Sequence, residues 1–257
     1  MQQNYHQTFT IDGIEPSLHL LTPPQLTPQP LLLLSFAMDW ETSLCVEPYN
    51  LTAKYFLEQG HRVASFDLPN HGQRINKYGE AITGLRNAFI AGKDPFAMFI
   101  EEAKTVIDFC IDHEFASVGN IAVCGTSRAG YLALRLLAKD SRIAAAAAFA
   151  PVTDWRCLEE FNADKNREDV ASLKLSNYVP NLAGKSTFIV IGNHDERVGT
   201  ASCCRFYLDL LKANHGNAEK INFQIHNSPG HYSQKEWYLA GAEFLIESIS
   251  NDLKVLL

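Results

Sequence analysis

The stretch NIAVCGTSRAGYLALRLL, Asn120 to Leu137, changes its hydrophobic period in mid-course. From Asn120 to Gly125 the residues are apolar or small without alternation, as in a strand buried on both faces. From Ala129 onward the apolar positions are Ala129, Leu132, Ala133, Leu136 and Leu137, the spacing of one helix face. Only Thr126-Ser127-Arg128 separates the two patterns. A buried strand that runs straight into a helix is the unit of a parallel sheet with helical crossovers.

The same alternation extends outward in both directions. Leu31–Phe36 reads as a buried strand, Glu47-Pro48 as the opening of a helix that Gly60 ends, and Arg62–Asp67 as the next strand. Asp94-Pro95 begins a helix whose apolar face runs through Phe96, Phe99, Ile100, Ala103, Val106, Ile107, Cys110 and Ile111. Ile143–Ala150 is ambiguous. Its five consecutive alanines favour helix on propensity, while its shortness and Pro151 favour a buried strand. Ser186–Ile191 and Ile221–His226 are strands; Ala201–Leu211 and Gln234–Ile249 are helices. The Pro-rich run from Thr22 to Pro30 reads as a surface loop between two strands, because too few residues precede it to form a domain. The pattern predicts one α/β domain over residues 1–257, doubly wound, with helices on both faces of a mainly parallel sheet. Trp155 to Pro180 shows no strong period, so residues 152–184 are expected to form a small lid or a connecting insertion.

Composition narrows the partners. A hydrophobic fraction of 46% with 20% charged residues is that of an ordinary globular chain with a core of useful size. The net charge of −7 and the lack of any Lys/Arg cluster argue against nucleic acid or an anionic membrane. None of the six cysteines forms a C-x-x-C pair, and the Cys110/His113 spacing has no second pair to complete a zinc site, so no metal is expected. Cys203-Cys204 falls inside a predicted helix, where a disulfide between neighbours is strained. The N-terminus lacks a basic segment followed by an apolar one, and Leu31–Phe36 is too short to span a bilayer. The expectation is a cytoplasmic protein that acts on a small molecule, with a homo-oligomer left open.

In open parallel sheets function gathers at the carboxyl ends of the strands. Those ends carry Asp67-Leu68-Pro69-Asn70-His71-Gly72, Gly125-Thr126-Ser127-Arg128-Ala129-Gly130, Ala150-Pro151-Val152-Thr153-Asp154, Gly192-Asn193-His194-Asp195-Glu196 and Ser228-Pro229-Gly230-His231. A serine on a tight strand-to-helix turn needs small neighbours, which the pattern G-x-S-x-G supplies. Here Gly125, Ser127 and Ala129 stand in that pattern, with Gly130 one place late. A serine hydroxyl also needs a base, and the base an orienting carboxylate. Asp195 and His231 follow Ser127 in chain order at two later strand ends, with Asp154 the rival for the acid. Ser127 would otherwise be a plain helix cap.

At these residues the chain resembles the α/β-hydrolase superfamily, in a form similar to dienelactone hydrolases and prolyl-oligopeptidase-like serine hydrolases. The Asp67–Gly72 turn, the Gly125–Gly130 elbow, the Gly192–Val198 segment and Pro229-Gly230-His231 carry the likeness, which spans about residues 30 to 249. The resemblance implies an α/β-hydrolase fold of about eight strands and acyl transfer without a cofactor. Ser127 would be the nucleophile, Asp195 the acid and His231 the base, with His71 structural. It also implies an oxyanion hole made by the backbone N–H of Arg128 and that of Ala37 or otherwise Phe36. Ser35-Phe36 stands where such enzymes have His-Gly, so this loop departs from the pattern. An esterase is the expected activity; an amidase or peptidase, or a silent binding module of the same fold, are the alternatives.

Overall fold

The computed structural model describes residues 4–216 and 218–255. Its eight strands are β1 (Tyr5–Phe9), β2 (Leu18–Thr22), β3 (Leu32–Phe36), β4 (Arg62–Ser65), β5 (Ile121–Thr126), β6 (Ile143–Phe149), β7 (Ser186–Gly192) and β8 (Ile221–His226). They form one sheet in the order β1-β2-β4-β3-β5-β6-β7-β8. From β4 to β8 every pair is parallel, and β1 and β2 add an antiparallel hairpin at one edge. The helices are α1 (Trp40–Cys45), α2 (Leu51–Glu58), α3 (Ala81–Ile90), α4 (Pro95–Asp112), α5 (Arg128–Lys139), α6 (Glu168–Ser172), α7 (Val179–Leu182), α8 (Thr200–Ala213) and α9 (Lys235–Val255). This is the α/β-hydrolase architecture that the resemblance implied.

The pleat explains the two layers. Successive strand side chains point to opposite faces, so Leu32, Leu34 and Phe36 join one core with α4, α5 and α8, while Leu31 and Leu33 join another with α2 and α9. Within β5, Ile121 and Val123 face the first core, and Ala122 and Cys124 the second. The alanine run is a strand, with Ala145–Phe149 hydrogen-bonded in register to β7. Its small side chains let α9 approach closely. A Cβ placed on Gly241 of that helix would come within 2.6 Å of the Phe149 ring. Tertiary packing here overrides the helix propensity of alanine.

Among the helices, α2 and α3 differ from the sequence-based expectation. The second helix begins at Leu51 after Asn50, one turn beyond Glu47-Pro48, although Gly60 ends it with a φ of +79° as expected. Helix α3, unforeseen, covers the space between the Asp67–Gly72 turn and α4. Residues 152–184 form short helical turns whose side chains Trp155, Leu158, Phe161, Val170, Leu175 and Leu182 are fully buried in the first core.

Two backbone devices set the active end of the sheet. The Asp67 carboxylate accepts from Trp40 N at 3.0 Å and from Gln73 N at 2.9 Å, so the loop after β3 and the turn after β4 are tied to one side chain. Gly72, with a φ of +52°, is needed there, since a Cβ would lie 2.3 Å from Asp67 Oδ2. On the other side, Asn193 after β7 accepts from Ser228 N at 3.0 Å, joining the loops that follow β7 and β8.

Candidate active site

Ser127 sits between β5 and α5 with φ 58° and ψ −116°, a conformation that L-residues adopt only under constraint. The constraint is visible in its hydrogen bonds. Its N–H donates to Phe149 O at 2.8 Å, and its carbonyl accepts from Tyr131 N at 3.2 Å and Val152 N at 3.1 Å. Gly125 is required because a Cβ would meet Ala129 O at 2.3 Å. Gly130 packs on Pro151, where a Cβ would sit 3.1 Å from the proline side chain. Alanine at 129 therefore fits, while the one-place-late glycine serves the contact with the loop after β6.

His231 Nε2 lies 3.1 Å from Ser127 Oγ, and His231 Nδ1 lies 2.7 Å from Asp195 Oδ2. A carboxylate can only accept, so Nδ1 carries the proton and Nε2 is left to accept from the serine hydroxyl. The other oxygen, Asp195 Oδ1, accepts from Arg197 N and Val198 N, both at 3.1 Å. These backbone bonds fix the carboxylate, which is 2% exposed. Asp154 is engaged elsewhere. It caps the short turn Trp155–Cys157 and holds Arg156 through Nε at 2.9 Å and Nη2 at 2.6 Å. Burial pushes its carboxyl up, but the hydrogen bonds from Arg156 outweigh that and hold it below its ordinary range. His194 and Glu196, which flank Asp195, are exposed.

The loop after β3 departs from what was expected of Ala37. Ala37 N–H donates to Ser43 Oγ at 2.9 Å, and that hydroxyl donates in turn to Asp39 O at 2.6 Å. Ala37 N–H is thus spent within the loop, and Phe36 lies in β3, paired with β5. Among the described residues, no protein acceptor is found for the N–H of Met38, the next residue, which lines the same cavity as Ser127. Arg128 N–H, at the first position of α5, has no intrahelical partner. No pattern in the sequence marks Ser43 or Met38, since one acts through a hydroxyl placed by the turn and the other through its backbone N–H.

His71 is buried and sits against the elbow. Its Nδ1 donates to Pro69 O at 2.8 Å, and its Nε2 accepts from Arg128 Nε at 2.8 Å. Burial, then the Arg128 guanidinium, lower its pKa to about 4, so the ring is neutral near pH 7. A cavity of about 280 Å³ opens over the serine, walled by Met38, Tyr49, Ser127, Arg128, His231 and Tyr232 among others.

A buried serine at a strained strand-to-helix turn, hydrogen-bonded to an imidazole that is in turn held by a carboxylate, is the arrangement that serine hydrolases of this fold use. The chain matches the model of the prolyl oligopeptidase family over residues 93–251, more than half its length, and belongs to that family. Among solved structures it is similar to TT1662 from Thermus thermophilus, at 18% identity and a TM-score of 0.75, covering 96% of this chain and 99% of that one. It is also similar to a cold-adapted esterase from an Arctic intertidal metagenomic library (19% identity, TM-score 0.69, 96% and 94% covered). Dipeptidyl peptidase 4 of Porphyromonas gingivalis matches at 19% identity and a TM-score of 0.69, with 95% of this chain but 35% of that one covered. No curated protein matches the chain by sequence.

Proposed function

We propose that the chain is a carboxylic-ester hydrolase that works through an acyl-enzyme on Ser127. The observation that supports this most is the unbroken hydrogen-bond chain from Ser127 Oγ through His231 to Asp195 Oδ2, set at a strained elbow under an open cavity. His231 takes the serine proton as Oγ attacks the acyl carbon. The carbonyl oxygen, now negative, is held by the N–H groups of Arg128 and Met38. Met38 takes the place first expected of Ala37, whose N–H is engaged by Ser43. His231 then protonates the leaving alcohol, and a water activated by the same ring releases the acid. Asp195 keeps the ring in the tautomer that this cycle requires. No cofactor enters the cycle, and the reading keeps a small-molecule acyl substrate in the cytoplasm.

Peptide or amide hydrolysis is the second reading, because the matching family model is that of the prolyl oligopeptidases. One experiment separates the two readings from a silent fold. The protein is treated with a fluorophosphonate probe, then assayed on p-nitrophenyl esters of graded chain length and on aminoacyl-nitroanilides. Labelling with ester turnover supports the esterase. Labelling with anilide turnover alone moves the assignment to a peptidase. A failure to label, in protein shown to be folded, removes the enzyme reading.

A further inference from the structure

The cavity over Ser127 is uneven in charge. Among the described residues that line it, Arg128 carries the one permanent charge, and none is a carboxylate. Arginine at this place also sets the chain apart from an elbow with a small or aromatic residue after the serine, because it puts a guanidinium one residue from the nucleophile. Its side chain is not free to wander. The Nε–H is donated to His71, whose ring is in turn fixed by Pro69 O. Glu160, the carboxylate whose charge acts on it, does not neutralise it by contact. Both Glu160 oxygens are taken by the two terminal nitrogens of Arg197, at 2.8 and 2.6 Å. Among the described residues no acceptor is found within hydrogen-bond distance of Nη1 and Nη2 of Arg128. Burial, the largest influence, pulls the guanidinium pKa down, as for a charge poorly compensated by its surroundings.

A guanidinium that is pinned at Nε and unpaired at both terminal nitrogens presents a planar two-donor edge, the geometry that matches a carboxylate. A partly buried cation beside the reacting bond, with its terminal nitrogens left to the cavity, is best completed by an anionic group of the substrate. We infer that the acyl substrate carries a carboxylate a few bonds from its scissile carbonyl, and that Arg128 binds this group while His71 positions the guanidinium. The substrate class would then be half-esters of short dicarboxylic acids rather than esters of simple fatty acids. This inference rests on the esterase reading above.

The test compares mono-p-nitrophenyl glutarate with p-nitrophenyl pentanoate, which are nearly matched in shape and differ in the terminal charge. The native protein should favour the glutarate half-ester by at least about tenfold in kcat/KM, an amount of about 1.4 kcal/mol. Arg128→Gln should erase that preference, chiefly through a higher KM for the half-ester, and Arg128→Lys should restore part of it. His71→Gln should weaken the preference through a higher KM for the half-ester, and free glutarate should inhibit the native protein competitively. Equal kcat/KM for the two esters in the native protein, or a preference that survives Arg128→Gln, overturns the inference. So does labelling by a fluorophosphonate with turnover of neither ester. Absence of labelling instead overturns the esterase reading, and this inference with it.

Discussion

The backbone N–H of Ala37 donates to the hydroxyl of Ser43 at 2.9 Å, across the turn between β3 and α1. Both residues are nearly inaccessible, at 4% and 1% exposure. The bond closes the turn into a small ring, because Ser43 Oγ also donates to Asp39 O while Asp39 caps α1 by accepting from Thr42 N at 2.7 Å. The loop therefore holds Ala37 N–H inward, while among the described residues the N–H of Met38 meets no protein acceptor.

Ser43→Ala should remove the acceptor and strand a buried N–H. The expected loss is about 1–3 kcal/mol of unfolding free energy, read from urea titration. Because the proposed cycle draws on Met38 N–H from the same turn, kcat for a p-nitrophenyl ester should fall by up to about 100-fold, with a smaller change in KM. A variant as stable and as active as the native protein would show that the turn is held by other contacts.

Ser127→Ala and His231→Ala should each abolish ester turnover, by on the order of 10⁶ in kcat, and the double variant should be no worse than either one. Circular dichroism should show all three folded, since neither Ser127 Oγ nor the partly exposed His231 ring is part of the two cores. Substantial kcat in Ser127→Ala, at identical protein purity, would remove Ser127 as the nucleophile.

The two candidate acids separate by what each one holds. Asp195→Asn keeps the shape but offers an amide to His231 Nδ1, favouring the wrong tautomer, and kcat should drop by on the order of 10⁴. Asp154→Asn breaks the pair with Arg156, which lies away from the histidine. Its cost should appear as about 1 kcal/mol or less of stability with kcat nearly unchanged, as for a partly exposed ion pair. The reverse pattern in the two kcat values would move the acid to the end of β6.

How much of this could be read from the chain depended on where the signal resides. Strands β3 to β7 are almost wholly buried, and their apolar runs stand out even where, as at Ile143–Phe149, alanine argued for helix; β8, at the sheet edge, is only partly buried. The hairpin strand β1 did not stand out, because Tyr5–Phe9 is largely exposed and carries no alternation. Helix α3 has a readable face in Ile82, Leu85 and Ala88, but it follows the turn at Gly72 without the capping residue that marks α4 at Asp94. Ser127, Asp195 and His231 were locatable because each stands in a short motif at a strand end. The pairing of His71 with Arg128 was not, since its two halves lie 57 residues apart and meet only when β4 and β5 are set in the sheet.

That pairing also makes stability depend on pH in a defined direction. The His71 pKa falls from 6.5 in an open chain to about 4 in the fold, first through burial and then through the Arg128 charge. Between these values the unfolded chain holds a proton that the folded ring refuses. Stability therefore rises with pH through this window, and the contribution is lost as pH falls from about 6.5 towards 4, by up to about 3 kcal/mol. A protonated ring would turn two donors on partners that include the Arg128 guanidinium, which is the physical source of the loss. In His71→Gln the titrating group is gone while hydrogen bonding to Arg128 remains feasible. Urea unfolding of both proteins at pH 7 and pH 4.5 isolates the effect, because His19, also held near 4 by burial, is common to both and cancels. The native protein should lose more stability than His71→Gln over this interval. Parallel losses in the two proteins would mean that His71 is not the neutral acceptor of Arg128 Nε–H that the geometry describes.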